Sequence, residues 1–223
     1  MTERTAQILE AAIQEFINTG EPVSSGLLYE HYDFGIKPAM IRLELDELEE
    51  RGFLEQPHHS AGRVPTNRGY EYFTGRLLEN SLKEHAAKKN DLHRLLEERA
   101  WPDLLSELSA QLGLLSVAAD LAREAVYKAG LEQLIDRLDW QDQNGIRSVI
   151  HDFEGMEKRL QRSAEMIGKG TQVFIGRKSP VTQSESLSVI GGNYTIGDAT
   201  ISIFAIGPKR MDYKKVIRIL RNL

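Results

Sequence analysis

Apolar residues recur at helical spacing near the start of the chain. Between Arg4 and Thr19 they follow the i, i+1, i+4, i+5 pattern of an amphipathic helix, at Ile8, Leu9, Ala12, Ile13, Phe16 and Ile17. Gly20 stands where this helix should end. The pattern therefore predicts a first helix that buries one stripe of its surface.

Two more short helices are predicted after it. Ser24 or Ser25 can cap the second, which runs through Tyr32. Lys37-Pro38 opens the third, which runs to Arg51, because an early proline lacks only an N–H that has no helical partner there.

One face of the third helix is apolar and must be buried, at Ile41, Leu45 and Leu48. The outward side of its first two turns then carries Ala39, Met40, Arg42 and Leu43. The later turns of the helix are acidic, at Glu44, Asp46, Glu47, Glu49 and Glu50. These residues form either a surface that repels phosphate or an ordinary solvated face. Only the first part of this helix is therefore expected to approach DNA closely.

Residues 53–70 follow the third helix after Arg51-Gly52 and predict a strand, a turn and a return strand. Gly62-Arg63 lies at the tip of this ribbon, where a guanidinium suits a phosphate or a minor groove. The alternative is a solvated hairpin whose arginine pairs with a nearby glutamate. Three helices and a ribbon give the winged form of the helix-turn-helix, so we predict a DNA-binding domain at 1–78 with its third helix in the major groove.

The rest of the chain changes from helical to strand periodicity. Residues 79–101 have the lysine- and glutamate-rich composition of a helical linker, and leucine stripes predict helices over 103–117 and 121–138. Strands are predicted at Val173-Phe174-Ile175, Leu187-Ser188-Val189-Ile190 and 200–206. We expect a tight turn at Gly191-Gly192-Asn193 and a closing helix over 211–223. Residues 102–223 are thus predicted to form an α+β domain.

Length and charge narrow the possible functions. The chain has 223 residues, enough for two domains of about 100–150 residues each. Its net charge of −5 argues against a sequence-blind nucleic-acid binder with a basic field over its whole surface. Affinity for DNA must then come from a local patch, doubled in a two-fold dimer. We predict contacts from Lys37, Pro38, Ala39, Met40, Arg42, Leu43, His58, Ser60, Gly62, Arg63 and Arg68, with His59 as a further candidate.

The sequence offers little for other chemistry. It contains no cysteine, no Gly-x-Ser-x-Gly, no His-Glu-x-x-His and no Gly-x-Gly-x-x-Gly, so neither an enzyme nor a cofactor is predicted. His58-His59 is a poor metal site, and His151-Asp152 is expected on a helix surface. Gly207-Pro208-Lys209-Arg210 is either an anion cradle or, as we favour, a structural turn. No apolar run suggests a signal peptide or a membrane span of about 18–20 residues, so a cytoplasmic protein is expected.

Several stretches, in this order and spacing, resemble the heat-inducible transcription repressors of bacteria, the HrcA type. They are Thr19-Gly20-Glu21-Pro22-Val23-Ser24-Ser25, Pro38-Ala39-Met40-Ile41-Arg42 with Leu48-Glu49, and His58 with Ser60-Ala61-Gly62-Arg63-Val64-Pro65-Thr66 and Gly69-Tyr70; near the C-terminus they are Gly176 and Gly207-Pro208-Lys209-Arg210-Met211-Asp212-Tyr213. The resemblance implies a homodimeric repressor of chaperone operons that binds an inverted-repeat operator. It also implies a regulatory domain similar to a GAF fold and a chaperonin partner.

The chain departs from the family pattern in two ways. Met40 and Leu43 stand where the family usually has threonine and asparagine, which predicts a changed operator or weaker discrimination. Members of the family are also considerably longer, and the helices predicted over 103–117 and 121–138 leave no room for several regulatory strands, so we expect a shortened repressor. The rival interpretation is a small-molecule-sensing winged-helix regulator with a different operator, whose sheet encloses a ligand.

Overall fold

The computed structural model of the protein describes residues 1–58, 61–81, 91–120, 122–138, 143–163, 167–168 and 170–223. These residues pack into two units, Met1–Arg76 and Leu77–Leu223. The first unit consists of helices and a short ribbon, and the second is built on one sheet with helices around it. The α+β class expected from the sequence is confirmed.

The first unit opens with the predicted helices, which are α1 (Glu3–Thr19), α2 (Ser25–His31) and α3 (Pro38–Glu50). The Ser24 side chain accepts the N–H of Leu27 and caps α2, and Pro38 is in the first turn of α3. Gly20 ends α1 at a φ of 75°, in the left-handed region that glycine adopts without strain.

The ribbon after α3 is shorter than predicted. Its strands β1 (Leu54–Glu55) and β2 (Val64–Pro65) pair antiparallel, and α4 (Asn67–Ser81) begins where the return strand was expected to continue. Thr66 explains the change, because its Oγ1 accepts the N–H of Gly69 at 3.2 Å and so caps the new helix.

The second unit continues from the end of α4. Its further elements are α5 (Asp91–Glu97), α6 (Trp101–Leu112), β3 (Leu115–Asp120), β4 (Ala125–Ala129), α7 (Leu131–Ile135), α8 (Gln143–Ser163), β5 (Gln172–Ile175), β6 (Leu187–Ile196), β7 (Ala199–Pro208) and α9 (Tyr213–Arg221). Among these described helices, none combines the length and apolar character that crossing a bilayer requires.

The five strands form one antiparallel sheet in the order β4-β3-β7-β6-β5. Side chains of the sheet and of α8 share the main apolar cluster, which includes Leu115, Val117, Met156, Leu160, Val189, Phe204 and Ile206. The predicted closing helix, α9, is present and bonds to β6 through Tyr213 Oη and Ser188 Oγ at 2.8 Å. The sheet is therefore covered by α8 and tied to α9.

The hairpin β3–β4 replaces part of two predicted helices. Leu115 and Val126 were expected on leucine-striped helices, but both lie in strands. A short apolar run is compatible with a helix or a strand. Gly113, at a φ of 63°, ends α6 just before the apolar run that forms β3. The expectation that this region leaves no room for strands is therefore wrong.

The turn predicted at Gly191-Gly192-Asn193 is also wrong. These residues lie inside β6, and the chain turns after Ile196 instead, at Gly197-Asp198. A Cβ on Gly191 would lie 2.7 Å from the Cα of Phe204 in the neighbouring strand. Glycine here permits close approach of two strands, a role that a sequence alone does not separate from a turn.

Two smaller expectations are settled in the second unit. His151 is exposed as expected, but Asp152 is buried, pairs with Arg159 and accepts the N–H groups of Gln183 and Ser184. Gly207-Pro208 ends β7 and the chain turns at Lys209-Arg210, in line with the favoured structural turn. Lys209 donates its N–H to Ser186 O at 3.2 Å, and its Nζ pairs with Glu185.

Candidate nucleic-acid interface

The first half of α3 presents the outward face predicted from the sequence. Met40 is 45% exposed and Leu43 is 60% exposed, whereas the opposite stripe is buried at Ile41, Leu45 and Leu48. Of the other predicted residues here, Lys37, Ala39 and Arg42 are exposed and Pro38 is half-buried. The face is therefore accessible, while its contact with DNA remains a prediction.

A buried carboxylate fixes α3 against α1. Glu44, expected on the acidic surface, is instead buried. Its Oε1 pairs with Arg4 Nη2 at 3.1 Å, and its Oε2 accepts the hydroxyl of Thr5 at 2.7 Å. Because this carboxylate is bonded on both oxygens, α3 is held in one rotational setting about its own axis.

A second buried carboxylate fixes the end of α2. Glu15 accepts the hydroxyl of Tyr32 at 2.9 Å and lies 3.3 Å from Nδ1 of His31. Burial, helped by this carboxylate, raises the pKa of Tyr32 to about 12. Tyr32 therefore keeps its proton and its hydrogen bond at physiological pH.

The structure places Arg63 differently from the free ribbon tip expected. Its guanidinium pairs with Asp46 Oδ1 at 2.6 Å and with Glu49 Oε2 at 2.7 Å, and its side chain is only 13% exposed. Its backbone pairs with Val23 through two hydrogen bonds, of 2.8 and 2.9 Å. Arg63 thus ties the ribbon to α3 and to the segment before α2, in line with the alternative of pairing to acidic neighbours.

Gly62 is required by this tight arrangement. A Cβ at this position would lie 2.7 Å from the carbonyl carbon of Pro22. His58 is exposed and lies nearby in sequence, whereas Ser60 and His59 lie outside the described residues. Of the residues predicted to contact DNA from the ribbon, the structure therefore describes His58, Gly62 and Arg63.

Arg68 lies at the other end of α3. It donates to Arg51 O at 2.8 Å, and its guanidinium stands 4.6 Å above the Phe53 ring centroid. These contacts stabilise the junction between α3 and α4, so Arg68 is separated from the predicted residues at the start of α3.

A groove of about 310 Å³ brings part of the predicted set together. Residues from α2, α3 and the ribbon line it, and they include Ser24, Ser25, Arg42, Asp46, Gln56, Gly62 and Arg63. Ser24, Ser25 and Gln56 were not predicted to belong to the site, because nothing in their spacing shows that they face α3. Within the ranges that the structure describes, no three His, Asp or Glu side chains are grouped as a metal site would need.

Two units of this kind define a two-part α+β protein, and a crystal structure described as that of a hypothetical protein has a similar fold. That match covers 98% of this chain and 95% of the other, with a TM-score of 0.79 and 18% identity, and it shows the fold alone. Residues 66–217 match the family described as HrcA protein C terminal domain. The chain therefore belongs to the HrcA family, and the resemblance noted in the sequence is confirmed.

Curated relatives agree with this assignment. The heat-inducible transcription repressor HrcA of Desulfitobacterium hafniense is 49% identical over 81 residues, which are 36% of this chain and 24% of the relative. In such matches the chain spans about a quarter of the relative's length. The repressor of the same name from Moorella thermoacetica is 24% identical over 327 positions, covering 99% of this chain and 95% of the relative. More than 100 of those positions have no counterpart among the 223 residues here.

Proposed function

We propose that this protein represses heat-shock (chaperone) genes by binding an inverted-repeat operator as a dimer, through a winged helix in its first unit. Its relatives are named heat-inducible transcription repressors, which supports the class of activity. The observation in this chain that carries the proposal is the exposed first half of α3, on a helix fixed from behind.

This face has the chemistry of a major-groove reader. Arg42 can form a bidentate contact with guanine, and Met40 and Leu43 can touch thymine methyl groups. Lys37, just before the helix, is exposed and can donate to a phosphate. The exposed face of α3 thus combines an arginine for base edges, two apolar side chains for thymine methyl groups and a lysine for the phosphate backbone.

The second half of α3 has to be kept from repelling the duplex. Asp46 and Glu49 both pair with Arg63, whose single positive charge offsets one of their two negative charges while holding the ribbon in place. We therefore assign Arg63 chiefly a positioning role, so that its contribution to DNA affinity passes through α3. Ser60, Gly62 and His58 remain candidates for backbone contacts from the ribbon.

Two copies of the first unit are needed for useful affinity. Residues 1–76 hold 7 Lys and Arg against 13 Asp and Glu, so a single copy has few free cations with which to bind phosphates. From the family resemblance we also infer that the second unit is a GAF-like domain for dimerisation and regulation, and that the protein has a chaperonin partner.

The decisive experiment is selection of bound duplexes from a random pool by the purified full chain. We expect an inverted repeat with one half-site per copy and a dimer in sedimentation. Arg42→Ala should abolish enrichment. Arg94→Ala, which removes an exposed, ion-paired arginine from α5, should not. If the parent chain enriches no sequence, or if Arg42→Ala enriches the same one equally well, the proposal fails.

A further inference from the structure

The second unit contains a small notch between the end of α4 and α9, about 300 Å³ in volume. We call it the α4–α9 notch, and it is lined by Leu77, Asn80, Ser81, Lys214, Ile217 and Arg218. Ile217 is buried and forms part of its floor, whereas Asn80, Lys214 and Arg218 are exposed at its mouth. The notch thus has an apolar floor and a rim of hydrogen-bond donors.

Its two walls are held together by direct bonds. Arg221 Nη1 donates to Ser81 Oγ at 2.5 Å, which joins the end of α9 to the end of α4. Tyr194 Oη donates to Leu220 O at 2.9 Å and ties α9 to β6. The helix that carries the rim cations is therefore tied to both α4 and β6.

Within the described ranges, the rim cations face no acidic partner. Among the described residues, Lys214 and Arg218 have no ion pair, and neither do the neighbouring Arg210 and Lys215. Lys214 and Arg218 are four residues apart on one helix face, where like charges repel. A folding role would favour acidic partners, which this chain has in excess.

The helix dipole favours the basic residues at the C-terminal end of α9 but not those at its N-terminal end. Arg218 and Arg221 lie in the last turn of α9, where a cation is favourable. Lys214 and Lys215 lie in the first turn, where the positive end of the helix opposes them. The Asp212 carboxylate, which caps α9 by accepting the N–H of Lys215 at 2.9 Å, reduces this repulsion, and an anion between Lys214 and Arg218 would reduce it further.

We propose that the α4–α9 notch is a binding site for a phosphate group. Lys214, Arg218 and the Asn80 amide supply donors for its oxygens, and the floor accommodates a carbon group attached to it. Two sources can deliver this group: a small phosphorylated molecule, or the backbone of a duplex bound as in the proposed function. The first source needs nothing from that function, whereas the second rests on it.

The test compares two double variants of the full chain. Lys214→Ala with Arg218→Ala removes the rim, and Lys158→Ala with Arg162→Ala is the control, because it removes an exposed basic pair of the same i, i+4 spacing from α8. Amide NMR spectra are recorded while inorganic phosphate or pyrophosphate is added at constant ionic strength. We expect saturable shifts at residues 77–81 and 214–218 in the parent and the control, and their loss in the rim variant.

The second arm measures affinity for the selected duplex against salt. If the backbone is the source, the rim variant lowers the slope of log K against log salt by about 0.9 for each phosphate that it no longer binds, and the control does not. Saturable phosphate shifts with an unchanged slope identify a small molecule, which would make the chain a ligand-sensing regulator. The site is rejected if the parent shows no saturable shift or the rim variant retains it. A parent that selects no duplex defeats the proposed function and leaves the phosphate arm intact.

Discussion

The two units are stabilised in different ways. In the first, charged side chains join elements: Arg4 to Glu44, Arg63 to Asp46 and Glu49, and Arg76 to Glu3 and Glu10. In the second, a sheet and α8 bury a continuous apolar cluster around Phe204. Both units bury apolar side chains, among them Ile8, Leu9 and Leu48 in the first. The contrast teaches that the first unit adds directional bonds between its helices and ribbon to set their geometry, whereas the larger apolar cluster of the second unit is continuous across its sheet.

The largest effect should come from a cavity in the sheet. Phe204 is fully buried, so Phe204→Ala should destabilise the second unit by about 3–5 kcal/mol. Hydrogen exchange followed by mass spectrometry should then show faster exchange in β3, β6 and β7 and unchanged exchange in α1 to α3. Equal loss of protection in both units would contradict the contrast.

Removal of one buried carboxylate charge should affect only the first unit. Glu44→Gln weakens charge-assisted bonds to Arg4 and Thr5 and should cost about 1–3 kcal/mol there. Glu47→Gln is the matched control, since its i, i+4 pair with Arg51 is exposed and worth about 0.3–0.5 kcal/mol. Thermal melts of the two variants, with exchange to locate the change, compare them; similar losses would mean that burial of Glu44 is unimportant.

Changes on the outer face of α3 should alter specificity and leave stability almost constant. Met40→Thr with Leu43→Asn should shift duplex preference by about 1–3 kcal/mol for each new hydrogen bond to a base edge. Because both side chains are exposed, the free energy of unfolding should change by about 0.5 kcal/mol or less. A large fall in melting temperature without a change in duplex preference would mean that Met40 and Leu43 do not contact bases.

Arg63→Ala separates positioning from direct contact. Loss of its pairs with Asp46 and Glu49 should lower the stability of the first unit by about 1–2 kcal/mol and weaken duplex binding as well. Arg63→Lys should recover part of both effects. A lower salt slope of binding with unchanged stability would instead show that Arg63 touches a phosphate directly.

The smallest effect concerns alkaline pH. The pKa of Tyr32 is about 12 in the folded protein against 10.0 for the free side chain. Protonated Tyr32 therefore contributes its full share to the stability of the first unit below pH 10, and this share is lost as pH rises towards 12. Tyr32→Phe should remove that loss from the first unit. Half-buried Tyr194, whose pKa is also raised by burial, should give the second unit its own loss of stability at alkaline pH. Identical profiles for parent and variant would rule out the role of Tyr32.

Local signals in the sequence were sufficient for much of the fold. Gly20, Ser24 and Pro38 mark helix ends by their own backbone preferences, and the α3 stripe at Ile41 and Leu45 predicts which side is buried. These features depend on neighbours a few positions away. For that reason the three helices and the orientation of α3 were predictable.

Features that depend on distant partners were not predictable. The burial of Glu44 requires Arg4 and Thr5, about forty positions earlier, and the pairing of Arg63 depends on how the ribbon folds back on α3. Leu115 satisfies both helical and strand patterns until β7 lies beside it. Of the candidate site, the sequence therefore indicated the exposed face of α3 but not the residues that hold the helix in place.

The anchoring of α3 from behind has a consequence for how specificity can change. Glu44 and Arg63 hold the helix through residues that are not on its exposed face, and Met40 and Leu43 contribute little to its packing. Substitutions at the two exposed positions can therefore accumulate without loss of the folded state. Under the proposed function, the first unit is a suitable scaffold for libraries randomised at 39, 40, 42 and 43, in which new operators are sought by selection while the framework residues are kept constant.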